Sequence, residues 1–154
     1  MKIKILPFLF SIIFLILFFV FYKGLQNSNI YTPKIDFEKK IPSFEVQMFN
    51  GNKKISSDEI FKPNKFYLMN IWASWCLPCR DEHNYLMNLS SQKGITIVGL
   101  NYKDKNENAK KFLNDLGNPY NIVLLDNDGT IAIEWGGYGV PETYLIYDRK
   151  IIKK

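Results

Sequence analysis

The sequence predicts an α/β domain, with a central sheet that is largely parallel at its middle and helices on its faces, carried behind an N-terminal membrane-spanning helix. Three observations predict it. Apolar, strand-favouring runs alternate with helix-period segments from Ile41 onward. Turn-forming clusters such as Asn50-Gly51 and Asp126-Asn127-Asp128-Gly129 separate the runs. Ahead of them lies an uncharged stretch, Ile5 to Tyr22.

As a helix, Ile5–Tyr22 spans about 27 Å, close to the hydrocarbon thickness of a bilayer. It is apolar on every side, unlike a helix with one face in a core. Lys23-Gly24-Leu25-Gln26-Asn27 follows with no small-x-small triplet, which favours an uncleaved anchor over a cleaved signal peptide. Lys2 and Lys4 before the span and Lys23 after it place the N-terminus in the cytoplasm and the rest outside. Residues 1–23 are thus expected to anchor the chain, 24–40 to form a polar tether, and 41–154 to form the domain. In that orientation the domain works where disulfides persist.

Within the domain, "FEVQMFNGNKKI" alternates around Asn50-Gly51 and predicts a hairpin. "SSDEIF" predicts a short helix capped by Ser56 or Ser57. "KFYLMNIWA" is continuously apolar and bulky, as expected of a central strand buried on both faces. Helical periodicity runs from Cys76 to about Ser91, and "ITIVGLNY" is a second buried strand. "NENAKKFLNDLG" is a helix stopped by Gly117, and "YNIVLL" a short strand. "TIAIEW" fits helix and strand equally. "ETYLIYD" and "KIIKK" are strands joined by a turn at Asp148-Arg149-Lys150.

The net charge is +5, but the lysines are scattered and no nucleic-acid motif accompanies them, so the charge reads as a solvated surface. The chain has two cysteines and one histidine, all within "IWASWCLPCRDEH". Two cysteines are too few for a disulfide-stapled scaffold. A closed zinc site needs about four ligands, and only His83 could join the pair. Haem attachment needs C-x-x-C-H, and Arg80 stands where the histidine should be. An inert crosslink over so short a loop adds little loop-entropy stabilisation. Redox chemistry remains, with no cofactor beyond a Cys76–Cys79 disulfide and no metal. Cys76 falls where a strand ends and a helix begins, so a thiolate there faces unpaired backbone N–H groups. That contact is worth about 0.3–1 kcal/mol when exposed. Cys79 lies almost one turn on, within reach and more buried, and resolves the mixed disulfide that Cys76 forms. Pro78 removes no intrahelical bond in the first turn.

Trp72-Ala73-Ser74-Trp75-Cys76-Leu77-Pro78-Cys79 resembles the active site of the thioredoxin superfamily, and Gly139-Val140-Pro141-Glu142-Thr143 resembles its cis-proline loop. Asn70 to His83, "NYKD" (Asn101–Asp104), "LGNPYN" (Leu116–Asn121) and "GVPETYLI" (Gly139–Ile146) together resemble the DsbE/CcmG type of thiol:disulfide interchange protein. The resemblance implies a thioredoxin-like fold with a mixed sheet flanked by helices. It implies a membrane-anchored protein of the bacterial inner membrane, with its domain in the periplasm, that reduces the C-x-x-C-H cysteines of apocytochrome c. Its partners would be apocytochrome c or a maturation-complex thiol protein, and a membrane electron donor of the DsbD/CcdA kind. Cys76 would be the nucleophile, Cys79 the resolving cysteine and Pro141 cis. Where thioredoxins bury an aspartate, this chain has Asn70, which cannot titrate. Glu82, one turn after Cys79, and Glu142, beside the proline, are the acids the resemblance offers as proton acceptors. Trp75, Val140 and Tyr138 are expected to line the substrate groove, Trp72 to pack in the core, and His83 to sit at a surface or helix edge.

Two other readings stay open: a general periplasmic thioredoxin-like reductase, and an apocytochrome-binding module with little redox turnover. Members of the family usually continue for another twenty or thirty residues, ending in a helix that covers one sheet face. The expectation here is a domain lacking that helix, with an apolar sheet face exposed.

Overall fold

The computed structural model describes residues 5–26, 39–49, 51 and 53–154. The chain divides into two units, Met1–Lys34 and Ile35–Lys154. In the first, helix α1 runs Ile5–Gln26, past the expected end at Tyr22. Its segment Pro7–Gln26 is long and apolar enough to cross a membrane, about 30 Å at helical rise. Phe8, Phe14 and Phe21 are among side chains exposed all round it. Lys2, Lys4 and most of the expected tether lie outside the described residues.

The described residues of the second unit form a mixed sheet of eight strands in the order β1-β8-β7-β4-β5-β6-β2-β3, with helices on its faces. Strands β1 (Lys39–Lys40), β2 (Glu45–Met48) and β3 (Lys54–Ser56) come first, and α2 (Ser57–Ile60) follows. Then come β4 (Phe66–Trp72), α3 (Leu77–Ser90), β5 (Ile95–Tyr102), α4 (Asn106–Leu116) and β6 (Ile122–Asp126). Helix α5 (Thr130–Glu134) and strands β7 (Glu142–Tyr147) and β8 (Lys150–Lys153) close the unit. Among the described residues only β4–β5 and β5–β6 are parallel; β7 joins β4 antiparallel, with Asn70 opposite Thr143. Parallel pairing is therefore narrower than the alternation suggests: β7 runs against β4, and the tight β7–β8 turn reverses the chain again. Lys39 pairs with Ile151, so the sheet reaches two residues into the expected tether.

Side chains alternate across β4. Tyr67, Met69 and Ile71 enter one core with Phe61, Trp135, Tyr144 and Ile146, under α2 and α5. Trp72 enters the other with Phe112, Leu113, Leu86 and both cysteines, under α3 and α4. The hairpin forms as β2 and β3, although Asn50 of its expected turn lies outside the described residues. Ser56 caps α2 in a capping box with Glu59. "TIAIEW" is helical at Thr130–Glu134 because Asp126 accepts the Ile131 and Ala132 N–H groups, at 3.3 and 2.9 Å, and Asp128 accepts that of Thr130 at 2.9 Å. Phe66 and Tyr147, on the α3 face of β4 and β7, meet with tilted rings 4.4 Å apart and remain 45% and 38% exposed.

Candidate active site

Cys76 is the N-cap of α3, at the end of the turn that leaves β4. Its sulfur accepts the Cys79 N–H at 3.1 Å and is bonded to the Cys79 sulfur. Cys76 is 4% exposed and Cys79 2%, so the expected difference in burial is small in this oxidised form. The helix terminus meets Cys76 as the strand-to-helix transition predicts.

The turn carrying Cys76 is held by Asp104, which accepts the Ser74 N–H at 2.5 Å, the Ser74 hydroxyl at 2.8 Å and the Asn101 amide at 3.1 Å. Trp75 is exposed, and its indole donates to the Lys103 carbonyl at 3.1 Å. Trp72 is buried in the core as expected.

The Val140–Pro141 peptide is cis. Val140 packs against both core clusters, one of which contains the two cysteines. Tyr138, earlier in that loop, is exposed. Glu142 ties the loop down. It accepts the Tyr138 N–H at 2.8 Å and the Tyr144 hydroxyl at 2.6 Å, and pairs with Lys154 at 2.7 Å.

The two candidate acids are therefore unlike. Burial pushes Glu82 above the ordinary glutamate value, and the hydrogen bond from Asn70 only partly offsets it. Burial also works against a charge on Glu142, but the bonds from Lys154, Tyr138 and Tyr144 and the Lys154 charge outweigh it and hold the carboxyl low. A carboxyl held low in the fold contributes stability above the ordinary value of 4.5, and that stability is lost as pH falls through its folded value. The expected result is a steeper acid limb of thermal stability in the wild type than in Glu142→Gln between about pH 6 and pH 3. Parallel limbs would mean that the loop is held by other contacts.

His83 corrects a sequence expectation. It is 1% exposed rather than at a surface or helix edge, because Cys79, His83 and Leu86 follow helical spacing along the buried face of α3. Its Nε2 is 3.0 Å from the Gly117 carbonyl and its ring meets Phe112 edge-on. Burial lowers its pKa, the Gly117 contact opposes this, and Arg80 adds to the lowering. Among the described residues, no cluster of three or more His, Cys, Asp or Glu side chains could hold a metal.

Sequence reasoning assigns no role to Tyr120, Thr143, Asp104 or Lys154. The first three lie in the stretches that carry the resemblance, which was the available signal. Lys154 meets Glu142 only through the β7–β8 turn, and nothing local announces it.

A disulfide at the head of a helix, fed by a central strand, with a cis-proline loop packed against the same core cluster, defines a thioredoxin-like domain. The redoxin family model matches residues 37–154. The thiol:disulfide interchange protein DsbE of Pasteurella multocida is 43% identical over 146 residues, covering 92% of this chain and 80% of that protein. The DsbE of Yersinia pestis is 43% identical over 115 residues, covering 75% and 61%. A crystal structure from Chlorobium tepidum, provisionally described as a DsbE, superposes with a TM-score of 0.64 at 28% identity, over 78% of this chain and 84% of that one. The chain belongs to the redoxin family and, within it, to the DsbE-type thiol:disulfide interchange proteins. It spans about three fifths of the length of the Yersinia pestis and Escherichia coli K12 relatives, 61% and 62%.

Proposed function

We propose that this protein is a membrane-anchored thiol:disulfide oxidoreductase that reduces the C-x-x-C-H cysteines of apocytochrome c, with no cofactor beyond the Cys76–Cys79 disulfide. The observation that carries the redox reading is the bonded Cys76–Cys79 pair at the N-terminus of α3. The reductive direction and the cytochrome client rest on likeness to the DsbE type.

In the reduced protein the Cys76 thiolate attacks a substrate sulfur, forming a mixed disulfide and releasing one substrate thiolate. The Cys79 thiol gives its proton to Glu82, whose raised pKa makes it a better acceptor than an ordinary carboxylate. The Cys79 thiolate then attacks the Cys76 sulfur, closing the protein disulfide and releasing the second substrate thiolate. Two electrons pass to the substrate, which leaves as a dithiol once protonated. A membrane donor of the DsbD/CcdA kind returns the electrons from across the bilayer. Glu142, held charged by Lys154, keeps the Tyr138–Pro141 loop in place for the substrate backbone. Trp75, Val140 and Tyr138 offer apolar surface beside the dithiol. In this reading the protein is a single-pass protein of the bacterial inner membrane with its domain in the periplasm, supported by the apolar N-terminal helix.

The test mixes the reduced full-length protein in detergent micelles with an oxidised C-x-x-C-H apocytochrome peptide and with a disulfide peptide of unrelated sequence. Faster reduction of the first supports the proposal. Equal rates point to a general reductase, and binding without reduction to a binding module.

A further inference from the structure

Tyr120 belongs to neither the dithiol nor the proline loop, yet it reaches the site through one buried side chain. Its hydroxyl donates to Asn70 Oδ1 at 2.8 Å. Asn70 Nδ2 then donates to Glu82 Oε1 at 2.8 Å and to Thr143 Oγ1 at 3.0 Å. Asn70 is fully buried and Tyr120 nearly so, leaving bulk water little access to replace a lost partner. An amide has one acceptor end and one donor end. With the acceptor end taken by the tyrosine, the donor end must face the carboxyl. The reverse orientation would set Oδ1 against a carboxylate. A hydroxyl bonded to Oδ1 also polarises the amide and strengthens donation from its nitrogen.

Tyr120 is itself fixed in place. Its ring stacks on Trp72 at 5.4 Å, and it lies so close over β5 that a Cβ at Gly99 would come within 2.7 Å of its Cγ. Burial, and then the Glu82 charge, push its hydroxyl well above the ordinary tyrosine value, so it remains a donor wherever the protein works.

We propose that Tyr120 is a positioning residue for Glu82: through Asn70 it holds the carboxyl hydrogen-bonded one turn from Cys79 and so sets the pH at which that carboxyl takes a proton. The proposal deepens the proton-acceptor reading of Glu82 and rests on it. The groups that act on Glu82 are Asn70 from β4, through its hydrogen bond, and Tyr120 from the segment before β6, through its proximity to the carboxyl charge; Thr143 from β7 shares the amide.

The test uses the oxidised full-length protein in micelles, where the cysteines do not titrate. The Glu82 carboxyl is followed by carbon-13 NMR in the wild type, Tyr120→Phe, Asn70→Ala and the double variant. Tyr120→Phe removes one oxygen and keeps the ring on Trp72 and Gly99. Its Glu82 midpoint should move to higher pH, as should that of Asn70→Ala, and the double variant should coincide with Asn70→Ala. A Tyr120→Phe curve that superimposes on the wild type overturns the proposal. So does a further shift when Tyr120→Phe is added to Asn70→Ala, since the effect would then bypass the amide. Should a variant fail to fold, the wild type still decides. The Asn70 side-chain amide protons should be protected from exchange, and free exchange overturns the arrangement. Separately, a Glu82→Gln variant with an unchanged pH profile of reduction removes the proton-acceptor reading while leaving the positioning result standing.

Discussion

Cys79→Ser should accumulate a mixed disulfide with substrate, and Cys76→Ser should lose exchange almost entirely. The asymmetry follows from position. Cys76 caps α3, where backbone N–H groups and the helix terminus favour its thiolate. Without its sulfur no bond to substrate forms, and the rate should fall by ~10³-fold or more. Cys79 enters only afterwards, so its loss leaves the first step intact and blocks the second. Non-reducing electrophoresis of each variant with the apocytochrome peptide should show a covalent adduct for Cys79→Ser and none for Cys76→Ser. The double variant should be no slower than Cys76→Ser alone, because the two sulfurs act in one sequence of steps. An adduct that forms on Cys79 instead would reverse the assignment of roles.

Trp72→Ala should be the most damaging change to stability among the residues of the active-site motif. Trp72 is 1% exposed and packs against Phe112 at 5.2 Å and Tyr120 at 5.4 Å. Truncating such a side chain costs about 3–5 kcal/mol through lost burial and the cavity left behind. Against a total of about 5–15 kcal/mol, this is a large fraction, and Tm should fall by roughly 10 °C or more. Trp72→Phe should cost much less, since it keeps most of the packing and removes an indole N–H that has no partner among the described residues. Trp75→Ala, three positions on, should behave in the opposite way. That side chain is 59% exposed and makes one bond, to the Lys103 carbonyl, so its removal should cost about 1 kcal/mol or less. It should lower kcat/KM with the peptide while leaving Tm nearly unchanged. Equal losses of stability from the two tryptophans would contradict the two environments.

The same pair shows how far the motif could be read unaided. Both tryptophans are legible as part of a C-x-x-C active site, and the strand-then-helix pattern separates the core one from the exposed one. His83 was legible too, since its spacing from Cys79 and Leu86 puts it on the buried stripe of α3. Reading it as a surface residue gives polarity more weight than period. The tie between Glu142 and Lys154 was beyond reach, because it depends on the β7–β8 pairing that brings the two residues together.

What the sequence determined by itself is the set of local facts: an apolar span long enough for a bilayer, the order of strands and helices, and a dithiol at a helix start with a proline loop downstream. The span, the element order and the dithiol at a helix start follow from periodicity, capping and spacing, which act over a few residues, and the proline loop from the resemblance of Gly139–Thr143 to that of the thioredoxin superfamily. What only the tertiary structure decided is which carboxyl has its pKa raised and which is held low. Glu82 and Glu142 look equivalent as letters beside a cysteine and a proline. They diverge because β4, β7, β8 and the segment before β6 bring Asn70 to one carboxyl, Tyr120 behind it, and Lys154 to the other. A carboxyl's pKa depends on burial and on neighbours distant in sequence, so it exists only once the sheet has been assembled.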